Sequence, residues 1–180
     1  MKNDKVRKTS TRNILKKNLN RLPPNLITKS AIVLHNIRSM HNVGAAFRSC
    51  DAFGINRVIL TGFTPEPPRA EISKTAIGAE KNVSWQYYHK FSEFYENEKV
   101  DQEYNVIGIE QTNLSISLSE FQPHDKPVCL VFGNEVTGID KEILPYIDTF
   151  VEILQYGKKH SLNVSVAIGI CLHNILDKYD

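Results

Sequence analysis

Apolar residues occur in short runs that alternate with segments of helical periodicity along most of the chain. The runs predict buried strands, and the segments between them predict helices, with the helix over 90–99 expected to be exposed. Alternation of this kind is typical of an α/β fold with a mostly parallel sheet and helices on both faces. The predicted strands lie at 31–36, 56–62, 84–88, 104–110, 127–132 and 149–154, and the predicted helices at 42–54, 72–81, 90–99, 140–147 and from 161 onward.

Polar residues at the predicted helix ends refine this pattern. Asn42 is placed to cap the helix that Gly54 ends, and Ser161 is placed to cap the last helix. That helix opens with VSVAIGIC at 164–171, where small residues occur on several faces. We therefore expect it to pack against neighbours on more than one side.

A ligand site in such a sheet is expected at the carboxyl ends of the strands. Four strand exits are relevant, and they follow His35, Ile109, Phe132 and Leu154. Each candidate cluster of polar residues in the chain falls at one of these exits.

The domain organisation follows from length and charge. At 180 residues, the chain is predicted to form one globular domain over 30–180, preceded over 1–29 by a basic arm and a linker that contains RLPPN at 21–25. The net charge is only +2. The arm is either a phosphate-binding tail or a solvated terminus, and composition does not separate the two. Its charged residues to position 21 are Lys2, Lys5, Arg7, Lys8, Arg12, Lys16, Lys17 and Arg21, against Asp4.

Composition also argues against several classes of protein. No segment approaches the roughly 20 apolar residues that span a bilayer, so we expect a soluble, cytoplasmic protein without a membrane partner. Cys50, Cys129 and Cys171 lie far apart among apolar neighbours and are expected to be buried, reduced thiols. With no CxxC pair and no histidine at ligand spacing, no metal site is predicted.

The first cluster follows the first strand, in HNIRSMHNVGAAFRS at 35–49. Asn42 opens the helix, Gly44 allows close backbone approach, and Arg48 stands in a mostly apolar helix. Arg48 is either an ordinary surface residue or the partner of a phosphate or carboxylate.

The second cluster is VFGNEVTGID at 131–140. A buried strand ends at Gly133, Glu135 follows, and Asp140 is placed to cap the next helix. Exposed backbone amides in such a turn can hold a cofactor, although a plain strand-to-helix turn is the alternative. Neither a phosphate-binding loop nor a G-x-G-x-x-G segment is present.

The third cluster is ILQYGKKHSLNVSVAIGICL at 153–172. A basic loop precedes Ser161 and Asn163, and considered locally these two are residues at the start of a helix.

Taken together, the three segments, in this order and spacing, resemble the three motifs of the TrmH/SpoU family of the SPOUT superfamily of RNA methyltransferases. The resemblance covers about 30–180.

The resemblance implies a C-terminal deep trefoil knot, a homodimer with its catalytic pocket at the subunit interface, and S-adenosylmethionine as cofactor. It implies transfer of a methyl group to a ribose 2'-hydroxyl of tRNA or rRNA. Residue by residue, it also assigns catalytic and cofactor-binding positions; Gln155 stands where relatives often have proline. The implied catalytic residues are Asn42, Arg48, Glu135, Ser161 and Asn163, and the implied cofactor-binding residues are Glu110, Gly133, Ile153 and Leu162.

Two other functions compete with this interpretation. One is a non-catalytic RNA-binding or assembly factor on the same scaffold, which would be expected to have lost the polar residues that this chain retains. The other is a base methyltransferase of the same superfamily, against which Arg48 and the Ser161-x-Asn163 pair argue.

Overall fold

The predicted parallel sheet forms the centre of the protein. The computed structural model describes residues 6–99 and 102–179, and within that part the sheet has seven strands, all parallel, in the order β3-β2-β1-β6-β4-β7-β5. The α/β fold class is therefore confirmed. The strands are β1 (Ala31–His35), β2 (Arg57–Thr61), β3 (Ser84–Tyr88), β4 (Asn105–Ile109), β5 (Ile116–Ser117), β6 (Val128–Phe132) and β7 (Thr149–Glu152).

Both faces of the central strands are covered. All residues of β1 and β6 are buried. Along β1, Ile32 and Leu34 belong to the apolar cluster on one face, whereas Ala31 and Val33 belong to the cluster on the other. Because every position is covered, these strands read as continuous apolar runs rather than as alternating ones.

Helices cover both faces of the sheet. Two of the helices come before the first strand along the chain. The third helix starts one residue beyond Ser39, whose Oγ accepts a hydrogen bond from the backbone N–H of Asn42 at 3.3 Å. Asn42 is therefore not the cap, whereas Gly54 ends the helix as predicted, with φ +79°. The helices are α1 (Thr11–Leu19), α2 (Asn25–Lys29), α3 (Met40–Phe53), α4 (Ala70–Ala76), α5 (Phe91–Phe94) and α6 (Val164–Tyr179).

Four details differ from the predicted elements. The predicted helix over 72–81 ends at Ala76, and a separate 3₁₀ turn follows at Ala79–Lys81. The segment 90–99 is not an exposed helix, because Phe91 and Phe94 are buried at its start and a π-helical turn completes it. Over 140–147 only a short 3₁₀ turn forms, at Leu144–Tyr146. The short strand β5 was not predicted.

Packing around α3 and α6 explains the small residues of both helices. A Cβ on Gly44 would stand 2.1 Å from Thr75 Oγ1, so this glycine allows α3 to approach α4 rather than a ligand. Helix α6 buries Ile168 and Leu172 against the core. Its opposite face, with Val166 and Ile170, is exposed in the single chain, so the expected packing on more than one side is not met within one chain.

The basic arm contains helix α1, which does not pack against the core of the protein. None of the residues of α1 is buried, and the charged residues at 2, 4 and 5 lie outside the described residues.

Cys50, Cys129 and Cys171 are buried free thiols, as predicted, and burial raises the pKa of each. Among the described residues, no helix combines the length and apolar character that crossing a membrane requires.

Candidate active site

A cavity of about 510 Å³ opens at the carboxyl edge of the sheet, where three of the predicted strand exits converge. Its wall is formed by the segments that follow β4, β6 and β7, together with the residues that precede α6. Parallel strands bring these distant segments to one edge. All four residues implied as cofactor contacts line this cavity: Glu110, Gly133, Ile153 and Leu162.

The turn after β6 is held by contacts that exclude any side chain at its first position. A Cβ on Gly133 would stand 2.3 Å from the backbone C and O of Gly138 and 2.4 Å from Ile139 N. Asn134 and Gly138 exchange two backbone hydrogen bonds of 2.9 Å each. The two sides of the turn are thus in direct contact.

Glu110 braces this turn from the neighbouring strand exit. One carboxylate oxygen accepts from the backbone N–H of Ile139 at 3.0 Å, and the other accepts from that of Gln111 at 2.9 Å. Its carboxylate is therefore already engaged with protein amides. Glu110 lines the cavity, but its hydrogen bonds go to backbone N–H groups and position the turn after β6.

Asn134 is the clearest site residue that the sequence analysis did not identify. Its Oδ1 accepts from the backbone N–H groups of Val136 and Thr137 at 2.9 and 3.1 Å, and its Nδ2 donates to the carbonyl of Asn36 at 2.7 Å. These bonds join the exit of β1 to the turn after β6. The signal was present, because an Asn follows a Gly directly after a buried strand.

Glu135 gathers three donors from the start of α3. Its carboxylate accepts from the backbone N–H groups of Arg38 at 3.0 Å and Ser39 at 3.1 Å, and from Nδ2 of Asn42 at 3.0 Å. Burial alone raises the pKa of the Glu135 carboxyl, but these hydrogen bonds, with one from its own backbone N–H, lower it by more. The net pKa lies below the ordinary value, so Glu135 is ionised at neutral pH.

Asn163 connects this carboxylate to the last helix. Its Nδ2 donates to Oδ1 of Asn42 at 3.2 Å, and its Oδ1 accepts from the backbone N–H of Ser165 at 2.9 Å. Asn163 therefore caps α6, which begins at Val164, and the prediction that Ser161 is the cap was wrong. Asn42, Glu135 and Asn163, taken from three separate motifs, form one hydrogen-bonded cluster.

Two predicted catalytic residues lie outside this cluster. Ser161 is exposed and lines the cavity, without a side-chain hydrogen bond to any residue that the structure describes. Arg48 is also exposed, and its side chain makes neither a hydrogen bond nor an ion pair within residues 6–99 and 102–179. The charge of Arg48 in α3 therefore faces solvent in the single chain, without a polar partner in the part that the structure describes.

Asp140 has a different role from the predicted helix cap. Its Oδ2 lies 2.9 Å from Nε2 of buried His35 and accepts from Nδ2 of Asn36 at 2.7 Å. His35 Nδ1 in turn lies 2.7 Å from Thr61 Oγ1. This network ties the ends of β1 and β2 to the segment after β6.

In the described part of the chain, no group of three or more His, Cys, Asp or Glu side chains could hold a metal ion.

We expect Glu135→Gln to lower the free energy of unfolding at pH 7 by about 1–2 kcal/mol, because the amide presents its own donors to N–H groups that need an acceptor. The lowered pKa means that the carboxylate stabilises the fold above the ordinary glutamate pKa, and that this contribution is lost as pH falls through the lower, folded value. The difference between wild type and variant should therefore shrink as pH falls.

Urea unfolding at pH 7 and at pH 3.5 measures this effect. Glu142→Gln is the matched control, because Glu142 is exposed and makes no hydrogen bond or ion pair within the described residues. Equal unfolding free energies for the two variants at pH 7 would contradict the assigned contacts.

Comparison with known proteins agrees with this geometry. The model of the SpoU rRNA Methylase family matches residues 29–173. The tRNA (guanosine(18)-2'-O)-methyltransferase of Aquifex aeolicus is 30% identical over 166 residues, which cover 89% of this chain and 76% of that protein. The 23S rRNA (guanosine-2'-O-)-methyltransferase RlmB of Yersinia pestis is 31% identical over 149 residues, or 83% of this chain and 59% of its own length.

Solved structures show the same fold. An AdoMet-bound rRNA methyltransferase from Sinorhizobium meliloti superposes with a TM-score of 0.77 at 25% identity, over 86% of this chain and 57% of that one. The TrmH/SpoU tRNA modifying enzyme of A. aeolicus gives 0.73 at 27% identity, over 92% and 84%. The chain thus spans between about half and four fifths of these relatives. The match over 29–173 includes all three motifs, and the chain belongs to the SpoU rRNA methylase family.

Proposed function

We propose that this protein is an S-adenosylmethionine-dependent RNA methyltransferase that acts on a ribose 2'-hydroxyl of tRNA or rRNA. The observation that carries the proposal is the position of the cavity, whose wall includes Glu135 of the hydrogen-bonded cluster. Family membership supports it, and so do relatives named as guanosine 2'-O-methyltransferases.

The lining of the cavity suits S-adenosylmethionine. Leu162 and Leu144 are 39% and 37% exposed on its wall, and this apolar surface would be covered by an adenine ring. The tight turn at Gly133 brings backbone polar groups close to the same space. We assign cofactor contact to Gly133, Ile153 and Leu162, and turn positioning to Glu110. When bound, the cofactor supplies an electrophilic methyl group.

The protein must align a weakly acidic hydroxyl and stabilise the charge that develops on its oxygen. As that oxygen gains the methyl group, its proton passes to water or to a nearby group. A guanidinium stays protonated, so Arg48 does not serve as the base. We assign to Arg48 the binding of the target's phosphate and of the developing alkoxide. Glu135, Asn42 and Asn163 position the start of α3 against α6, and Ser161 contacts the ribose.

Incubation with isotope-labelled S-adenosylmethionine and separate unmodified tRNA and rRNA pools tests the proposal. Digestion and mass spectrometry should find a labelled 2'-O-methyl nucleoside in one pool. Label on a base would favour a base methyltransferase. No label in either pool would favour the non-catalytic RNA-binding factor and overturn the proposal.

We further propose a homodimer that buries the free face of α6. Val166 and Ile170 are 49% and 39% exposed there, and Gly169 has open space above it. An apolar helix face of this kind is typical of an interface. Because the Arg48 side chain forms no hydrogen bond with the cluster of its own chain, we also propose that a second copy brings its Arg48 to the cavity.

Val166→Lys should convert the dimer to monomer at micromolar concentration, since it would place a charge within the buried interface. Sedimentation velocity measures the change. The control is Gln122→Lys, which adds the same charge at an exposed residue outside α6. An unchanged dimer in Val166→Lys would refute the assigned interface.

The basic arm, residues 1–29, is proposed to bind RNA phosphates. Helix α1 is fully exposed and carries lysines in its last turn. Deletion of residues 1–20 should weaken RNA binding and flatten its salt dependence, while cofactor affinity stays unchanged, because each lost phosphate contact lowers the slope by about 0.7–0.9. Binding titrations over a range of KCl concentrations measure the slope, and an unaltered slope would exclude the role.

We propose that the C-terminal third forms a trefoil knot. The close approach of the loop before α6 to the segment after β4 supports this, since Gln111 Nε2 donates to the carbonyl of His160 at 2.8 Å. We also propose a cytoplasmic location, where tRNA and rRNA substrates would be available.

A further inference from the structure

A second cavity, of about 460 Å³, lies on the other side of the segment that Glu135 holds. Arg38 and Met40 form one wall, and Phe63, Glu66, Arg69 and Tyr87 contribute to the rest. The Glu135 carboxylate accepts from the backbone N–H of Arg38, so this cavity and the cluster share one short stretch of backbone. An RNA strand whose target ribose lies at the mouth of the first cavity could therefore extend into the second.

Phe63 is exposed, yet its backbone is fixed. The side chain is 60% exposed, whereas its N–H donates to Oδ1 of Asn36 at 3.0 Å. On one side, Tyr87 Oη donates to the carbonyl of Gly62 at 2.7 Å. On the other, the hydroxyl of buried Thr64 donates to the carbonyl of Leu34 at 2.8 Å. The loop thus presents an aromatic face to solvent in a fixed position.

The charges around this face suit a nucleotide. Arg38 and Arg69 are exposed, and neither forms an ion pair within residues 6–99 and 102–179. Two guanidinium groups beside an aromatic ring match a phosphate chain whose bases stack. Glu66 adds a carboxylate, whose two oxygens can accept hydrogen bonds from adjacent imino and amino groups on the edge of a base.

We propose that this cavity binds an unstacked base of the substrate RNA, close to the nucleotide that is methylated. The base stacks on Phe63, and Arg38 and Arg69 contact the flanking phosphates. Glu66 favours guanine, whose N1–H and N2 amino group can both donate to its carboxylate, over uracil, which has the N3–H donor alone. This inference rests on the proposed function in that its ligand is the RNA of the same reaction. It adds a determinant of substrate choice outside the cofactor cavity.

Fluorescence anisotropy with short labelled RNA tests the site without cofactor or methyl transfer. The probes are an all-uridine hexanucleotide and the same strand with one guanosine. We expect Phe63→Leu, which keeps an apolar side chain but loses the aromatic face, to weaken binding about tenfold or more, and Phe63→Trp to retain it. Arg69→Ala should lower the salt slope by about 0.7. Glu66→Gln should reduce the preference for the guanosine probe.

Equal affinity of wild type and Phe63→Leu would overturn the inference, as would no binding of either probe to the wild type. The outcome is separable from that of the proposed function. If the wild type binds the probes through Phe63 but methylates no RNA pool, the function fails and the site stands. If it methylates RNA and Phe63→Leu leaves the KM for that RNA unchanged, the function stands and the site fails.

Discussion

Gly133→Ala is expected to weaken S-adenosylmethionine binding by at least about 100-fold, which corresponds to about 2.7 kcal/mol. The added Cβ would lie 2.3 Å from two backbone atoms of Gly138. Because the contact is with backbone, no side-chain rotation relieves it. The turn must open, and the paired hydrogen bonds between Asn134 and Gly138 must lengthen or break. The wall of the cavity changes shape as a result.

Isothermal titration calorimetry with the cofactor measures the effect, and thermal unfolding shows that the variant is folded. Gly157→Ala is the matched control, because a Cβ there meets nothing within 4 Å and the residue lies in the loop between β7 and α6. The control should bind within about twofold of the wild type. Wild-type affinity in Gly133→Ala would refute the assignment of this turn to the cofactor site.

The sequence predicted the strands correctly where both faces of the strand are buried. β1 and β6 are continuous apolar runs because helices cover both sides, so their positions were predicted correctly. The two residues of β5 are too few to give a pattern. Over 140–147 the apolar spacing resembled a helix, but the carboxylate of Asp140 is engaged with His35 and Asn36, and only a 3₁₀ turn forms.

The candidate site was predictable in outline for a different reason. Parallel strands bring their carboxyl ends to one edge, so the exits of β1 and β6 were expected to meet. The individual partners were not predictable, because Asn42, Glu135 and Asn163 are joined by contacts across 93 and 121 residues of chain. Arg48 was expected at the same place, yet its side chain forms no hydrogen bond with the cluster. Helical periodicity places a residue on a face but does not identify what covers that face.

The isolation of Arg48 makes its substitution an unusually clean test of catalysis. Removal of an exposed side chain without partners should change the unfolding free energy by less than about 0.5 kcal/mol. We expect Arg48→Ala to lower kcat/KM for RNA by about 100- to 1,000-fold, the usual effect of removing a group that stabilises a developing oxyanion. Arg48→Lys should also be impaired, by about tenfold or more, because an ammonium cannot bind bidentately.

Single-turnover methyl transfer measures these rates, with Lys81→Ala as the control for loss of an exposed cation on another element. Cofactor affinity should be unchanged in Arg48→Ala. If Arg48→Lys kept most of the wild-type rate, the bidentate role would be wrong.

A mixture of Arg48→Ala and Gly133→Ala chains then tests whether Arg48 acts on the cavity of a second copy. In a mixed dimer, the Arg48→Ala chain keeps an intact Gly133 turn, and its partner supplies the arginine, so one site is complete. Co-refolding equal amounts should therefore restore about a quarter of the wild-type activity, since half of the dimers are mixed and each has one working site. If Arg48 acts within its own chain, every site in the mixture lacks one component. The activity would then remain at the level of the separate variants.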